Sequence, residues 1–204
     1  MRILVFGDSV EYGAWDSQGG WVDRVKQQLH QEFLDSKGKA KHQLLNLGIG
    51  GDTSTKILAR MDAEIHARDS KGWPLVLIFS FGTNDERTVD DQPEVNTETF
   101  KTNIQQIITK AHKYTDKILF VGCSPLREPV VDFKTHRYID AQVAAYEDIL
   151  RAEVETTGVQ FVEIRSVLTE KGASIFSDDG IHPNDDGHKL IAQTALPHIR
   201  SMIS

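Results

Sequence analysis

The chain holds a single cysteine, Cys123, among 204 residues, so it can form no disulfide within itself and offers no cysteine cluster for zinc. Cys123 closes the apolar run Ile118-Leu119-Phe120-Val121-Gly122, and a packed, inert thiol at the end of a buried strand is expected. No stretch reaches the roughly 18 apolar residues that a membrane span needs. The first apolar run, Ile3 to Phe6, is too short for the core of a signal peptide, which makes a cytoplasmic protein the simplest expectation. An excess of positive charge is also missing. Lys and Arg total 23 against 30 Asp and Glu, a formal net charge of −7, and this disfavours a nucleic-acid backbone binder. Low-complexity tracts, internal repeats and linkers are absent, so one domain over residues 1–204 is expected. A domain of that size buries roughly 70% of the surface its unfolded chain exposes and needs no staple to fold. Oligomeric state is not legible.

Against these absences stands a regular alternation. Arg2 to Phe6 reads as a buried strand, followed by a helix near Trp21 whose stripe is Trp21, Val22, Val25, Leu29 and Phe33. Gln43 to Leu47 is a second strand, leading through a glycine-rich turn into a helix with Asp52 or Thr53 as N-cap and Ile57, Leu58, Met61 and Ile65 as its stripe. Leu75 to Phe81 is the most continuous apolar run and the best candidate for a central strand. A helix marked by Phe100, Ile104, Ile107, Ile108 and Ala111 follows, then a strand at Lys117 to Gly122. Ile139, Val143, Tyr146 and Leu150 mark the next helix, Val159 to Ile164 a short fifth strand. A last helix starts after Pro183-Asn184, its dipole complemented by Asp185 and Asp186. The pattern calls for a parallel sheet of about five strands with helices on both faces. Two long connections, Glu86 to Asn96 and Ser124 to Tyr138, follow strands and belong at the sheet's carboxyl edge, where open α/β folds bind ligands. Each is either functional or a solvated connector.

Four segments carry residues suited to chemistry. Gly7-Asp8-Ser9-Val10 follows the first strand and presents a serine whose own amide points where its hydroxyl does; Gly-Asp-Ser is equally a turn composition. Asn46-Leu47-Gly48-Ile49-Gly50-Gly51-Asp52-Thr53-Ser54 lets backbone amides approach a ligand, but it fits neither G-x-G-x-x-G nor a phosphate loop; a helix cap is the plainer reading. Gly82-Thr83-Asn84-Asp85 offers a neutral side-chain donor for a developing oxyanion, or simply a turn. In Asp178-Asp179-Gly180-Ile181-His182-Pro183 a carboxylate three residues before a histidine can fix its tautomer across a tight turn. Of the eight histidines only His182 has this setting, with His136 the second choice. His188 belongs to the last helix, and His30, His42, His66, His112 and His198 read as exposed. Metal ligation by Asp179, His182 and His188 lacks a metal-site spacing, so no metal and no cofactor is expected.

Taken in order, the four segments resemble the four blocks of the SGNH (GDSL) hydrolases, from Ser9 to His182. The resemblance implies a flavodoxin-like three-layer α/β/α fold and a serine esterase. It implies Ser9 as nucleophile, His182 as base and Asp179 as its partner, with an oxyanion hole made by the amides of Ser9 and Gly51 and the side chain of Asn84. Gly50 competes with Gly51 for the backbone donor. Val10 stands where the family's name-giving motif has leucine, a packing position. G-x-S-x-G is missing, consistent with a nucleophile close to the first strand instead of on a mid-chain elbow.

The implied chemistry is attack on an ester or thioester carbonyl, an acyl-enzyme, and release by water, with activity rising as the histidine loses its proton. Two alternatives stay open: an acyltransferase using the same acyl-enzyme, and a non-catalytic ligand-binding protein on the same scaffold. Short-chain esters, thioesters, lysophospholipids and acetylated sugars are all admissible substrates. Tyr12, Trp15, Arg127 and Phe133 are the candidates for the pocket wall, with core packing as the plain alternative.

Overall fold

Strand residues that alternate between two apolar layers organise this molecule. In the computed structural model, which describes residues 1–69, 72–130 and 135–204, the strands are β1 (Arg2–Gly7), β2 (Gln43–Gly48), β3 (Leu75–Phe79), β4 (Thr88–Val89), β5 (Gln92–Pro93), β6 (Ile118–Val121) and β7 (Gln160–Val162). The helices are α1 (Ser9–Tyr12), α2 (Gly20–Asp35), α3 (Ser54–Arg68), α4 (Thr83–Glu86), α5 (Thr97–Ala111), α6 (Asp140–Thr156), α7 (Arg165–Lys171) and α8 (Asp185–Ile203). Five parallel strands pair in the order β2-β1-β3-β6-β7. Ile3, Val5, Val76, Ile78, Leu119 and Val121 pack with α2, α7 and α8. Their neighbours Leu4, Phe6, Leu77, Phe79, Ile118 and Phe120 pack with α3, α5 and α6. Side chains of period two thus fill both faces, as expected where helices cover a parallel sheet on each side.

The departures from expectation have local causes. β3 ends at Phe79, with the Ser80 amide making the last rung to the Phe6 carbonyl at 3.0 Å; Phe81, though buried, is off the ladder and meets Phe100 edge-on. The stripe of α2 ends at Leu29, since Phe33 is 38% exposed, lying past the sheet's cover. Ile139 is the N-cap of α6, not part of its buried face, and is 37% exposed. Thr53 occupies the N-cap of α3 but its side chain makes no capping bond. The Ser54 amide instead donates to both carboxylate oxygens of Asp85 at 3.0 Å, while the Asp52 carboxylate is held by Arg60 at 2.7 Å. The acidic connection after Glu86 forms the antiparallel pair β4-β5, turned by Asp90 and Asp91 with φ of 49° and 60°. Positive φ at both central residues is what a tight hairpin requires, and Asp tolerates it better than most. Thr88 exchanges backbone hydrogen bonds with Arg137, tying this hairpin to the segment leading into α6.

Candidate active site

β1 delivers Ser9 to the carboxyl edge of the sheet, and a capping box fixes the turn. The Asp8 carboxylate accepts from the Val10 amide at 2.9 Å, and Glu11 returns the bond by accepting from the Asp8 amide at 3.0 Å. Glu11 also accepts the Trp21 indole N–H at 3.0 Å. Both carboxyls lie under the serine and are almost fully buried. Burial, reinforced by the neighbouring Asp8 charge, pushes Glu11 up to about 8. Burial likewise raises Asp8 to about 6 against the pull of the Val10 amide.

Ser9 Oγ lies 2.8 Å from His182 Nε2, and His182 Nδ1 lies 2.6 Å from Asp179 Oδ2. With Nδ1 donating to the carboxylate, Nε2 is left to accept the serine proton. Asp179 and His182 meet through a turn that needs Gly180, whose φ is 76° and whose added Cβ would sit 2.4 Å from the Arg127 carbonyl. The second carboxylate oxygen, Oδ1, accepts from Ser177 Oγ at 2.7 Å, the Ile181 amide at 2.8 Å and the His182 amide at 3.0 Å. Burial alone would raise this carboxyl. The His182 imidazole and amide, Ser177 and the Ile181 amide outweigh it and hold Asp179 well below the usual carboxylate range.

Asn84, at the start of α4, reaches the same edge. Its Nδ2 donates to Asp8 Oδ2 at 3.0 Å and to the Asp52 carbonyl at 3.1 Å, and its Oδ1 accepts from the Tyr138 hydroxyl at 3.0 Å. Opposite, Gly51 takes φ 78° in the turn before α3. A Cβ at Gly50 would approach Ser9 Cβ at 4.0 Å, whereas one at Gly51 would approach Arg87 Nη1 at 4.0 Å. Among the described residues no group of three or more His, Cys, Asp or Glu side chains is arranged to hold a metal ion, and no helix is long and apolar enough to cross a membrane.

Residues 5–190 match the model of the GDSL-like lipase/acylhydrolase family. The chain belongs to the GDSL-like lipase/acylhydrolase family. No curated protein matches this hydrolase in sequence. Solved structures share its fold at low identity. An α/β hydrolase enzyme from the metagenome of Lake Arreo, Spain, superposes with a TM-score of 0.76 at 18% identity, covering 100% of this chain and 96% of that one. The lipase/acylhydrolase from Enterococcus faecalis gives 0.76 at 18%, covering 98% and 95%. An acetyl xylan esterase from Geobacillus stearothermophilus gives 0.74 at 17%, covering 97% and 94%.

In this GDSL-like hydrolase the four wall candidates separate. Tyr12 and Trp15 are 64% and 68% exposed, so neither is a core residue. Trp15 donates its indole N–H to Asp179 Oδ2 at 2.8 Å. Arg127 braces the histidine turn, its guanidinium donating to the Ser177 and Asp178 carbonyls at 3.0 Å each. Phe133 lies outside the described residues. His136 sits in a surface hollow with Arg137 and the β4-β5 hairpin, and His188 is fully buried, with the Trp21 amide 3.2 Å from its Nδ1. Tyr138 as the partner of Asn84, and Asp8 and Glu11 as buried acids, leave no mark in their own segments of sequence. Ser177 had a local signal, a hydroxyl two residues before Asp179 in a turn; the others come from residues distant in sequence.

Proposed function

We propose that this hydrolase cleaves carboxylic esters through an acyl-enzyme on Ser9. The observation that carries the reading is the hydrogen-bonded line from Ser9 Oγ through His182 to Asp179, at 2.8 Å and 2.6 Å. His182 Nε2 takes the hydroxyl proton as Ser9 Oγ attacks the ester carbonyl. The amides of Ser9 and Gly51 and the Asn84 side chain hold the oxyanion. The bond from the former carbonyl carbon to the alcohol oxygen then breaks as the carbonyl re-forms, leaving the acyl group on Ser9, and the alcohol departs with the proton from His182. Water, deprotonated by the same imidazole, releases the acid and restores Ser9. Because both Asn84 N–H groups have partners at rest, the oxyanion acquires its third donor by sharing the one now aimed at Asp8.

Tyr12 and Trp15 follow Ser9 closely in the chain, and Ile49 is next to Gly50, whose added Cβ would approach Ser9 Cβ; all three are exposed. A short acyl group is the substrate proposed for this edge. The acetyl xylan esterase that shares the fold acts in the same sense. A panel of p-nitrophenyl esters of rising chain length, run on wild type and Ser9→Ala, tests the reading. Acetate and butyrate are expected to turn over faster than decanoate, and Ser9→Ala to lose activity by about 10³-fold or more. Wild-type rates in Ser9→Ala would overturn the mechanism, and a preference for decanoate the short-acyl assignment.

A further inference from the structure

We propose that Trp15 is a positioning residue, whose indole N–H orients the Asp179 carboxylate against His182. The proposal rests on the Ser9–His182–Asp179 reading above and adds a group to it. Asp179 Oδ2 receives two partners: His182 Nδ1 at 2.6 Å and Trp15 Nε1 at 2.8 Å. The Trp15 ring also stands edge-on to the imidazole, at 90° with centroids 6.1 Å apart, and walls a hollow of about 230 Å³ with Ser177, Asp178 and Asp179.

Burial does not explain this placement, because Trp15 is 68% exposed. Its backbone is costly as well. A φ of 64° puts a bulky residue in the left-handed region, a conformation that persists only where the surroundings impose it. They do so from both sides. The Ala14 amide donates to the Ser9 carbonyl at 2.9 Å, and the Ala14 carbonyl lies 3.2 Å from His188 Nε2. On the other flank the Asp16 carboxylate, fully shielded from solvent, takes the Arg24 guanidinium at 2.7 Å and 2.8 Å and the amides of Gln18 and Gly20. The Ser17 amide donates to Asp185 of α8 at 2.9 Å. A segment braced this heavily to α1, α2 and α8 spends its one left-handed, non-glycine position on aiming an indole at a carboxylate.

The second donor does two things for Oδ2. It occupies a lone pair that water would otherwise take, so the carboxylate presents one angle to the imidazole. It also shares the negative charge, so protonated His182 is not held too tightly to return its proton to the leaving alcohol. The other titratable or charged groups near the pair are Asp8 from the turn after β1, His188 from α8, Asp178, which lines the same hollow as Trp15, and Arg127, whose guanidinium donates to the Ser177 and Asp178 carbonyls.

The test compares Trp15→Phe with a protein carrying 3-benzothienylalanine at position 15, which keeps the bicyclic shape and replaces only N–H by sulfur. Both are expected to lose about tenfold in kcat toward p-nitrophenyl acetate with KM within about twofold, the size expected for a partly exposed hydrogen bond to a charged group. The acid limb of kcat/KM is expected to move up by about half a pH unit in both, as the carboxylate regains undivided charge beside the imidazole. Thermal unfolding should be little changed, given the exposure of the ring. Wild-type kcat in the benzothienyl protein, a loss confined to KM, or a kcat loss with an unmoved acid limb each overturns the proposal. Ser9→Ala keeps the two readings apart: activity surviving there sinks the serine mechanism itself, whereas a dead Ser9→Ala beside an unaffected benzothienyl protein sinks only the role of Trp15.

Discussion

Asn84 is held by three partners before any substrate arrives. Tyr138 donates to its Oδ1, and Asp8 and the Asp52 carbonyl take its two N–H groups. Turning the amide over would set Oδ1 against two acceptors, so the network determines which atom faces Ser9's side of the site. Replacing Asn84 by alanine is expected to lower kcat about 10²–10³-fold, the usual effect of losing one oxyanion donor. It also leaves the buried Asp8 carboxylate short of a partner, at a cost of about 1–3 kcal/mol in stability. Kinetics on the folded variant, with denaturant unfolding alongside, checks both, and an unchanged kcat would remove Asn84 from the oxyanion hole. The Asp179–His182 pair was legible in the sequence because a three-residue spacing with glycine inside it is a local geometric statement. Trp15 to Asp179 and Tyr138 to Asn84 span 164 and 54 residues. No local pattern encodes such a meeting, and the fold must bring it about.

At the scale of elements, amphipathic period marked the helices well and their limits poorly. Periodicity reports which face is apolar but not where the covering sheet ends, which is why Phe33 and Ile139 read as core and stand exposed. The strands of the β4-β5 hairpin are two residues each, too short to show any period. Caps were clearer when local and lost when distant. Asn184 caps α8 by accepting from the Asp186 and Gly187 amides, and its Nδ2 donates to the Ser174 and Phe176 carbonyls. Asp85 serves α3 from across the sheet edge. Asn184→Ala removes the cap and the two bonds beyond it, so a loss of about 1–2 kcal/mol is expected. That corresponds to a drop of about 3–6 °C in Tm for a domain of this size. Thermal denaturation measures it directly, and an unchanged Tm would mean water replaces every one of those bonds.

For the whole molecule, the buried acids set how stability follows pH. Burial raises Asp8 to about 6, Asp85 and Glu147 to about 7, and Glu11 and Glu86 to about 8. Between about pH 4, where carboxyls in the unfolded chain lose their protons, and about pH 8, the folded protein binds more protons. Stability therefore falls as pH rises through that window. Asp179, Asp16, Asp62 and Glu153 are shifted down instead, so their contribution is lost as pH falls below about 4. Maximal Tm is expected at about pH 4, where the two slopes meet, and Glu11→Gln should flatten the decline on the alkaline side. A Tm that climbs steadily from pH 5 to pH 8 would contradict the assignment.

The distance along the chain between Ser9 and His182 also orders events in time. Their hydrogen bond joins residues 173 apart, so closing it carries nearly the largest loop-closure entropy this chain can incur. During synthesis the serine, its capping box and the middle of the sheet are all made long before the imidazole exists. Under the proposed mechanism, a growing chain would carry an unactivated hydroxyl until α8 docks against α2 and brings the histidine turn with it, so reactivity would follow the sheet instead of accompanying it.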